Sequence, residues 1–365
     1  MWVFFLQTSA FLSLLNEWLV ISIFMKLQNK KTGVLLVNLG TPDSPGYFDV
    51  ASYLAEFLTD KRVIDTHWIL RQLLVRFTII PSRLRQSTNF YKKIWTKEGS
   101  PLKVYGHLVE SMLKQRLGDQ FEVRLAMRYQ NPSLKSVLDK LRQAAVERLI
   151  VIPLFPQYAS ATTGSVHECV MSLISKWDCI PQMHFVSHYE TDPHLIDAFC
   201  LAAKNYPLCD YDHILFSFHG LPQAQIRKAD LRGSCLSETC CQTLNENNHS
   251  CYSAQCYATA GAIAKQLSID PKQFSIAFQS RLGKDPWLQP YTGEKVHTLA
   301  RNGVKRMLVF CPSFVCDCLE TIYEIGVEYR GEFIKAGGLK LDLVPGLNAT
   351  VRWIDALENM VISLS

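Results

Sequence analysis

Eight short runs of apolar and β-branched residues recur along the chain, at 33–39, 121–129, 149–155, 184–188, 213–218, 274–279, 306–311 and 339–344. Continuous apolar runs of this length, without strict alternation, are what parallel strands buried on both faces require. Segments of helical period separate most of them, at 48–59, 104–117, 133–147, 167–176, 193–205, 254–267, 298–302 and 318–335, with a last helix at 353–362. Strands alternating with helices define βαβ units, and right-handed crossovers bring the strand ends to a common edge. Four strands fall on each side of residue 191. The pattern therefore predicts an α/β protein of two doubly wound Rossmann-type domains, each around a four-stranded parallel sheet. The expected domains are 25–190 and 191–344, and residues 345–365 supply a C-terminal helix that packs back on the first domain. No short-period repeat or low-complexity tract interrupts the pattern.

Residues 1–24 stand apart. They are nearly all apolar, with Asn16 and Glu17 in the middle. They lack the basic start and small-residue cleavage site of a secretory signal. A membrane helix of this length would carry a central carboxylate. The favoured expectation is that Met25 is the true start, because Met25-Lys-Leu-Gln-Asn-Lys-Lys leads directly into the first strand. The chain has 365 residues, 48% hydrophobic and 19% charged, which describes a globular protein. A net charge of +5 is mild, and no lysine/arginine-rich run or nucleic-acid motif is present. Twelve cysteines without an export signal point to metal or redox roles before disulfides. The expected location is cytoplasmic.

Polar and glycine-containing motifs collect at the strand ends, where open α/β sheets bind ligands. They are Asn38-Leu-Gly-Thr-Pro42, Met127-Arg-Tyr129, Pro156-Gln-Tyr158, Ser217-Phe-His-Gly-Leu-Pro222, Gln279-Ser-Arg281 and the stretch after 311. In that last stretch Asp317, Glu320, Glu324 and Glu328 fall at steps of three, four and four. Such spacing stacks four carboxylates along one face of a helix, at a cost in like-charge repulsion. A solvated face is the ordinary reading of a charge run, but Leu319, Ile322, Tyr323, Ile325 and Val327 surround this one with apolar residues. His219 ends an apolar strand. It reads as a satisfied buried side chain or, with carboxylates facing it, as a proton acceptor and ligand for a borderline metal. No phosphate loop, Gly-x-Gly-x-x-Gly fingerprint or Gly-x-Ser-x-Gly elbow occurs, so nucleotide hydrolysis, hydride transfer and esterase chemistry lose weight. An aromatic, arginine-containing cleft with a histidine and opposing acids suits a large, flat, anionic ligand and a divalent cation.

The segments Leu36-Val-Asn-Leu-Gly-Thr-Pro42, Arg128-Tyr129, Pro156-Gln-Tyr158 with Thr162-Thr-Gly-Ser165, Ser217-Phe-His-Gly-Leu-Pro222, Phe278-Gln-Ser-Arg-Leu-Gly283 with Pro286-Trp-Leu288, and Asp317-Cys-Leu-Glu-Thr321 resemble those of the ferrochelatases. They come in the family's order over about residues 32–345. The resemblance implies insertion of Fe²⁺ into protoporphyrin IX with loss of two protons, the last step of protohaem synthesis. It implies His219 and Glu320 as the pair that binds metal and removes protons, with Asp317, Glu324 and Glu328 as a path for protons or metal. Leu39, Tyr158 and Trp287 are expected against the macrocycle, and Arg83, Tyr91, Ser100 and Arg128 at the propionates or cleft wall. For Trp287 plain core packing competes, and for Arg128 an ion pair bracing the strand end. A chelatase for another tetrapyrrole or metal (coproporphyrin, cobalt or nickel) and a non-catalytic tetrapyrrole or iron carrier are the competing functions. Peripheral membrane contact is expected from the lipophilic substrate.

One segment departs from the usual family pattern. Within 231–256 lie Cys235, Cys240, Cys241, Cys251 and Cys256. Four thiolates can close a [2Fe–2S] cluster or a zinc site, and unligated thiols are the third reading. Ser160 stands where one cluster-bearing type places an upstream cysteine. The insert resembles instead the subset with an internal [2Fe–2S] site, four of the five cysteines serving as ligands. Cys240 and Cys241, being adjacent, are not both expected to ligate, and Cys256 reads equally as helix packing.

Overall fold

The computed structural model describes residues 31–365 apart from 231, 232, 234, 238, 282 and 284, so the expectations for residues 1–24 lie outside the described residues. The first half runs β1 (Thr32–Gly40), α1 (Tyr47–Leu58), α2 (Trp68–Leu74), a π-helical turn (Val75–Ile79), α3 (Ile80–Ile94), α4 (Pro101–Leu117), β2 (Phe121–Tyr129), α5 (Leu134–Gln143), β3 (Arg148–Pro153), α6 (Ser165–Ile174) and β4 (Gln182–Phe185). The second runs α7 (Pro193–Ala202), β5 (His213–His219), α8 (Gln223–Ala229), α9 (Tyr252–Gln266), β6 (Phe274–Gln279), α10 (Thr292–Arg301) and β7 (Arg306–Phe310). It continues with a π-helix (Glu320–Tyr329), α11 (Arg330–Lys335), β8 (Lys340–Leu343) and α12 (Val351–Ser363).

Both sheets are four-stranded and parallel throughout, in the orders β2-β1-β3-β4 and β6-β5-β7-β8. This is the expected architecture of two doubly wound sheets. In β1, Val34 and Leu36 face one way and Leu35 and Val37 the other, and all four are fully buried. That is why the strand reads as an unbroken apolar run. The odd-numbered pair packs under α5 and α6. The even-numbered pair joins a core that also takes in β5, α7, α9 and α12, so one apolar core spans the two sheets.

Local chemistry sets the helix starts. Asp192 accepts the N–H groups of His194 and Leu195 at 2.9 and 3.0 Å, with Pro193 at the first helical position of α7. The last helix, α12, packs against α4 and α7. Arg116 on α4 pairs with Asp355 and Glu358 at 2.8 and 3.1 Å, and Tyr189 stacks on Trp353 at 6.3 Å.

The span from Trp68 to Ile94 has no counterpart among the expected elements. Pro81 breaks its period, and apolar residues lie on its exposed side, with Trp68, Leu70 and Phe77 at 62, 59 and 74% exposure. The helix expected at 298–302 starts earlier, at Thr292.

Candidate active site

The ends of β1, β3 and β5, the start of the π-helix, and α1 with α3 enclose a cavity of about 360 Å³ between the two halves. Backbone geometry first decides what can enter. A Cβ on Gly220 would stand 2.8 Å from the Gln279 carbonyl and 3.1 Å from the Trp287 ring. Glycine is therefore what lets the chain turn away from β5 against its neighbour and leave His219 at the cavity wall. The His219 ring meets Trp287 and Phe314 edge-on, with centroids at 6.4 and 6.1 Å. Burial holds its pKa below 6.5, against the opposing pull of the Glu320 carboxylate, so the imidazole is neutral and able to accept a proton near pH 7.

Glu320 and Glu324 line the same cavity. Burial, then the charge of Glu320, pushes the Glu324 pKa up from 4.5 to about 7, although Ser280 Oγ and Gln279 Nε2 donate to it at 2.6 and 3.1 Å. A carboxyl poised near neutrality beside a second carboxylate can accept and pass on a proton.

The four-carboxylate stripe does not hold as one face. Asp317 lies ahead of the helix, where it accepts from Gly346 N at 3.0 Å, Asn348 Nδ2 at 2.7 Å and Thr321 Oγ1 at 3.0 Å. Residues 320–329 are wound as a π-helix, a rare form that occurs frequently at functional sites. Glu328, at its far end, is exposed, with its pKa raised by partial burial and by Glu332. Neither Asp317 nor Glu328 lines the cavity.

Among the other expected positions, Leu39, Tyr91, Ser100 and Trp287 line the cavity, and exposed Arg83 also borders it. Ser100 is buried and accepts a hydrogen bond from Thr41 Oγ1 at 2.9 Å. Tyr91 meets Tyr53 edge to face at 6.2 Å, and burial raises both phenols so that they stay neutral. Arg128 is directed elsewhere. Its guanidinium pairs with Asp60 at 2.7 Å and donates to Ser165 Oγ at 2.7 Å, the arrangement that braces the end of β2. Burial works against the Asp60 charge, but hydrogen bonds from Ser165 and from Arg62 N–H and the charge of Arg128 hold its pKa below the usual range. Tyr158 borders a second, smaller cavity beside the cysteine segment.

Tyr53, Phe57, Phe314, Ser280 and Gln225 also line the cleft and were not among the expected residues. Tyr53 and Phe57 stack at 5.9 Å one helical turn apart on α1, a spacing visible in the sequence once α1 is known to cover the strand ends.

The cysteine segment closes against the back of this cleft. Cys235 Sγ lies 3.6 Å from Cys251 Sγ, and Cys240 Sγ lies 3.5 Å from Cys241 Sγ. Thiol hydrogen bonds from Cys241 and Cys235, with N–H groups at the start of α9, lower the Cys251 pKa to about 6 although burial opposes them. Cys256 is fully buried within α9, where burial pushes its thiol well up. Among the described residues, no group of three or more His, Cys, Asp or Glu side chains is arranged to hold a metal ion.

Two parallel sheets facing one cleft are the architecture of the chelatases. The sirohydrochlorin chelatase SirB from Bacillus subtilis subspecies spizizenii, solved in complex with cobalt, matches with a TM-score of 0.52 over 91% of this chain and 94% of that one, at 10% identity. The ferrochelatase family model matches residues 31–364, and the chain belongs to that family. It is 41% identical over 334 residues to the ferrochelatase of Coxiella burnetii strain Dugway 5J108-111, covering 91% of this chain and 93% of that protein. It is 40% identical over 341 residues to that of Bdellovibrio bacteriovorus, covering 92% and 99%.

Proposed function

We propose that the protein is a lyase that inserts Fe²⁺ into protoporphyrin IX, and that the chemistry lies between His219 and the Glu320–Glu324 pair. The observation that carries this reading is a neutral, buried imidazole in one aromatic cavity with two carboxyl groups, one of them poised at about 7. Two pyrrole N–H protons must leave as the cation enters. His219 accepts a proton at its ring, and Glu320 meets the incoming iron or takes the second proton. Glu324, its carboxyl oriented by hydrogen bonds from Ser280 Oγ and Gln279 Nε2, takes that proton on. Leu39, Tyr91 and Trp287 offer the apolar walls that hold the macrocycle, and Arg83, at the exposed rim, suits a propionate. Purified His219→Ala and Glu320→Ala proteins are expected to fold and to lose iron insertion in a multiple-turnover assay of porphyrin fluorescence. Near-normal turnover in either would reject this pair. Comparing Fe²⁺ with Co²⁺, and protoporphyrin with coproporphyrin, tests the substrate choice.

For the cysteine segment the reading is a [2Fe–2S] centre on four of its five cysteines. The full burial of Cys256 within α9 disfavours that residue and leaves Cys235, Cys251, Cys240 and Cys241, against the expectation that the adjacent pair does not ligate together. Cys235 with Cys251, and Cys240 with Cys241, are the close sulfur contacts that would bring these thiolates to such a centre, and the same four thiolates would also suit one zinc ion. Cys256 stands outside this set. When bound, such a centre supplies a one-electron couple and a covalent brace for the loop. The absorption spectrum of anaerobically purified protein checks it, and a colourless protein with bound zinc would reject it.

The exposed Trp68, Leu70, Leu73 and Phe77, with Arg76 beside them, support peripheral contact with the cytoplasmic face of an anionic membrane. Among the described residues no helix is long and apolar enough to cross one. Co-sedimentation with phosphatidylglycerol vesicles that Phe77→Glu leaves undiminished would remove this contact.

A further inference from the structure

The backbone on both sides of His219 is held by groups to which the proposed reaction gives no role. Tyr252 is 7% exposed, and its hydroxyl donates to the His219 carbonyl at 2.7 Å. Ser313 Oγ lies 3.3 Å from that hydroxyl and accepts the His219 N–H at 3.3 Å. One residue on, Gly220 N–H donates to the Gln279 carbonyl at 2.8 Å. The peptide groups before and after the His219 Cα are thereby fixed, and with them the direction in which the imidazole leaves the chain. Tyr252 also lines the cleft and the smaller cavity behind it. It follows Cys251 directly and opens α9, so the residue that grips His219 lies within the cysteine segment.

We propose that Tyr252 is a positioning residue for His219: its hydroxyl, with Ser313, clamps the histidine's peptide groups and so aims the imidazole into the cleft. The inference rests on the reading of His219 as the proton acceptor. Tyr252 lines the cleft, but its hydroxyl oxygen is engaged by the His219 carbonyl, so removing that oxygen leaves the ring's contact surface in place and its effect falls on the chemical step and not on substrate binding.

The test is Tyr252→Phe, which removes one oxygen and keeps the ring. Turnover is expected to fall about ten-fold while KM for protoporphyrin stays within about two-fold, the signature of a misaimed group as opposed to a lost contact. The His219 imidazole resonances, assigned by their absence in His219→Ala, are expected to move in the NMR spectrum of the variant. Ser313→Ala should give the same two changes, smaller in size, and carries the test if Tyr252→Phe does not fold. Wild-type turnover in Tyr252→Phe overturns the proposal. So does a loss of turnover with unmoved His219 resonances, or one in which KM rises in step. His219→Ala with normal turnover would instead reject the proton-acceptor reading, and the resonances alone would then decide whether Tyr252 orients the ring.

Discussion

The two halves of the molecule share one strand order and put different chemistry at the end of it. The first strand of each sheet leaves through a similar tetrapeptide, Leu39-Gly40-Thr41-Pro42 in one half and His219-Gly220-Leu221-Pro222 in the other. Both glycines are forced by the neighbouring strand: a Cβ at Gly40 would lie 2.0 Å from the Tyr129 carbonyl, and one at Gly220 would lie 2.8 Å from that of Gln279. Leu39 and His219 thus occupy corresponding places, and both line the cleft. In the first half the charges near the strand ends are neutralised internally, Arg128 by Asp60, leaving a wall of leucine and tyrosine. In the second half His219, Glu320 and Glu324 face the cleft. One topology therefore builds a cleft with an apolar side and a titrating side, and the side chain ahead of each glycine decides which is which.

The sharpest way to break this comparison is to erase it. His219→Leu gives the second half the residue of the first, and iron insertion is expected to fall by about 10³-fold, the scale of a lost general base. A smaller loss, measured as kcat by porphyrin fluorescence, would mean that the asymmetry lies elsewhere. Arg128→Ala should lower unfolding stability by about 1–2 kcal/mol in urea, because Asp60 loses its counter-charge while keeping the Ser165, Tyr129 and Arg62 hydrogen bonds, with KM for porphyrin little changed. A large KM effect with intact stability would return Arg128 to the binding wall.

Glu324→Gln tests the titrating side through pH. The folded-state pKa of Glu324 is raised, so its contribution is fully present below pH 4.5 and is lost as pH rises through about 7. The glutamine variant is therefore expected to gain stability over wild type by about 2–3 kcal/mol at pH 8 and to match it near pH 4. Denaturant midpoints at the two pH values check the sign. The smallest effect expected is from Leu39→Ala, which should raise KM for protoporphyrin a few-fold, equivalent to about 1 kcal/mol of lost apolar contact, with kcat retained.

The central strands were legible because a strand buried on both faces leaves an unbroken apolar run, as β1 illustrates; the part-exposed edge strands β4 and β8 were found in outline only, β4 lying at Gln182–Phe185 where 184–188 was expected. His219, at the end of such a run, was expected at the binding edge and lines the cleft, whereas Glu320 and Glu324, which also line it, were expected from their helical spacing and from the family resemblance. What failed depended on contacts distant in sequence. The stripe from Asp317 to Glu328 assumed a regular α-helix. The Asn348 and Gly346 groups that capture Asp317 come from the loop after β8, and no local spacing announces them. For Arg128 the competing reading, an ion pair bracing the strand end, is the one the structure shows, but its partner Asp60, far earlier in the chain, could not be named from the sequence. The Trp68–Ile94 span was missed because its apolar residues do not all point inward, so its pattern has no single buried face. The correspondence of Leu39-Gly40 with His219-Gly220 needed the paired strands to become visible.

The placement of α12 has a kinetic consequence. It packs on α4 and α7 at once, over a core that runs unbroken from one sheet to the other. A clamshell rotation of the halves would have to tear that core, so the distance between the sheets is expected to stay constant through a catalytic cycle. Traffic into the cleft falls to the Trp68–Ile94 span, joined to the second half where Phe90 and Lys93 meet Tyr323 at 4.2 and 3.2 Å. Moving this helical span is expected on the microsecond-or-slower scale of lids rather than the nanosecond scale of loops. Fluorophores placed on the two sheets would keep a fixed transfer efficiency during turnover, while one on α2 would flicker.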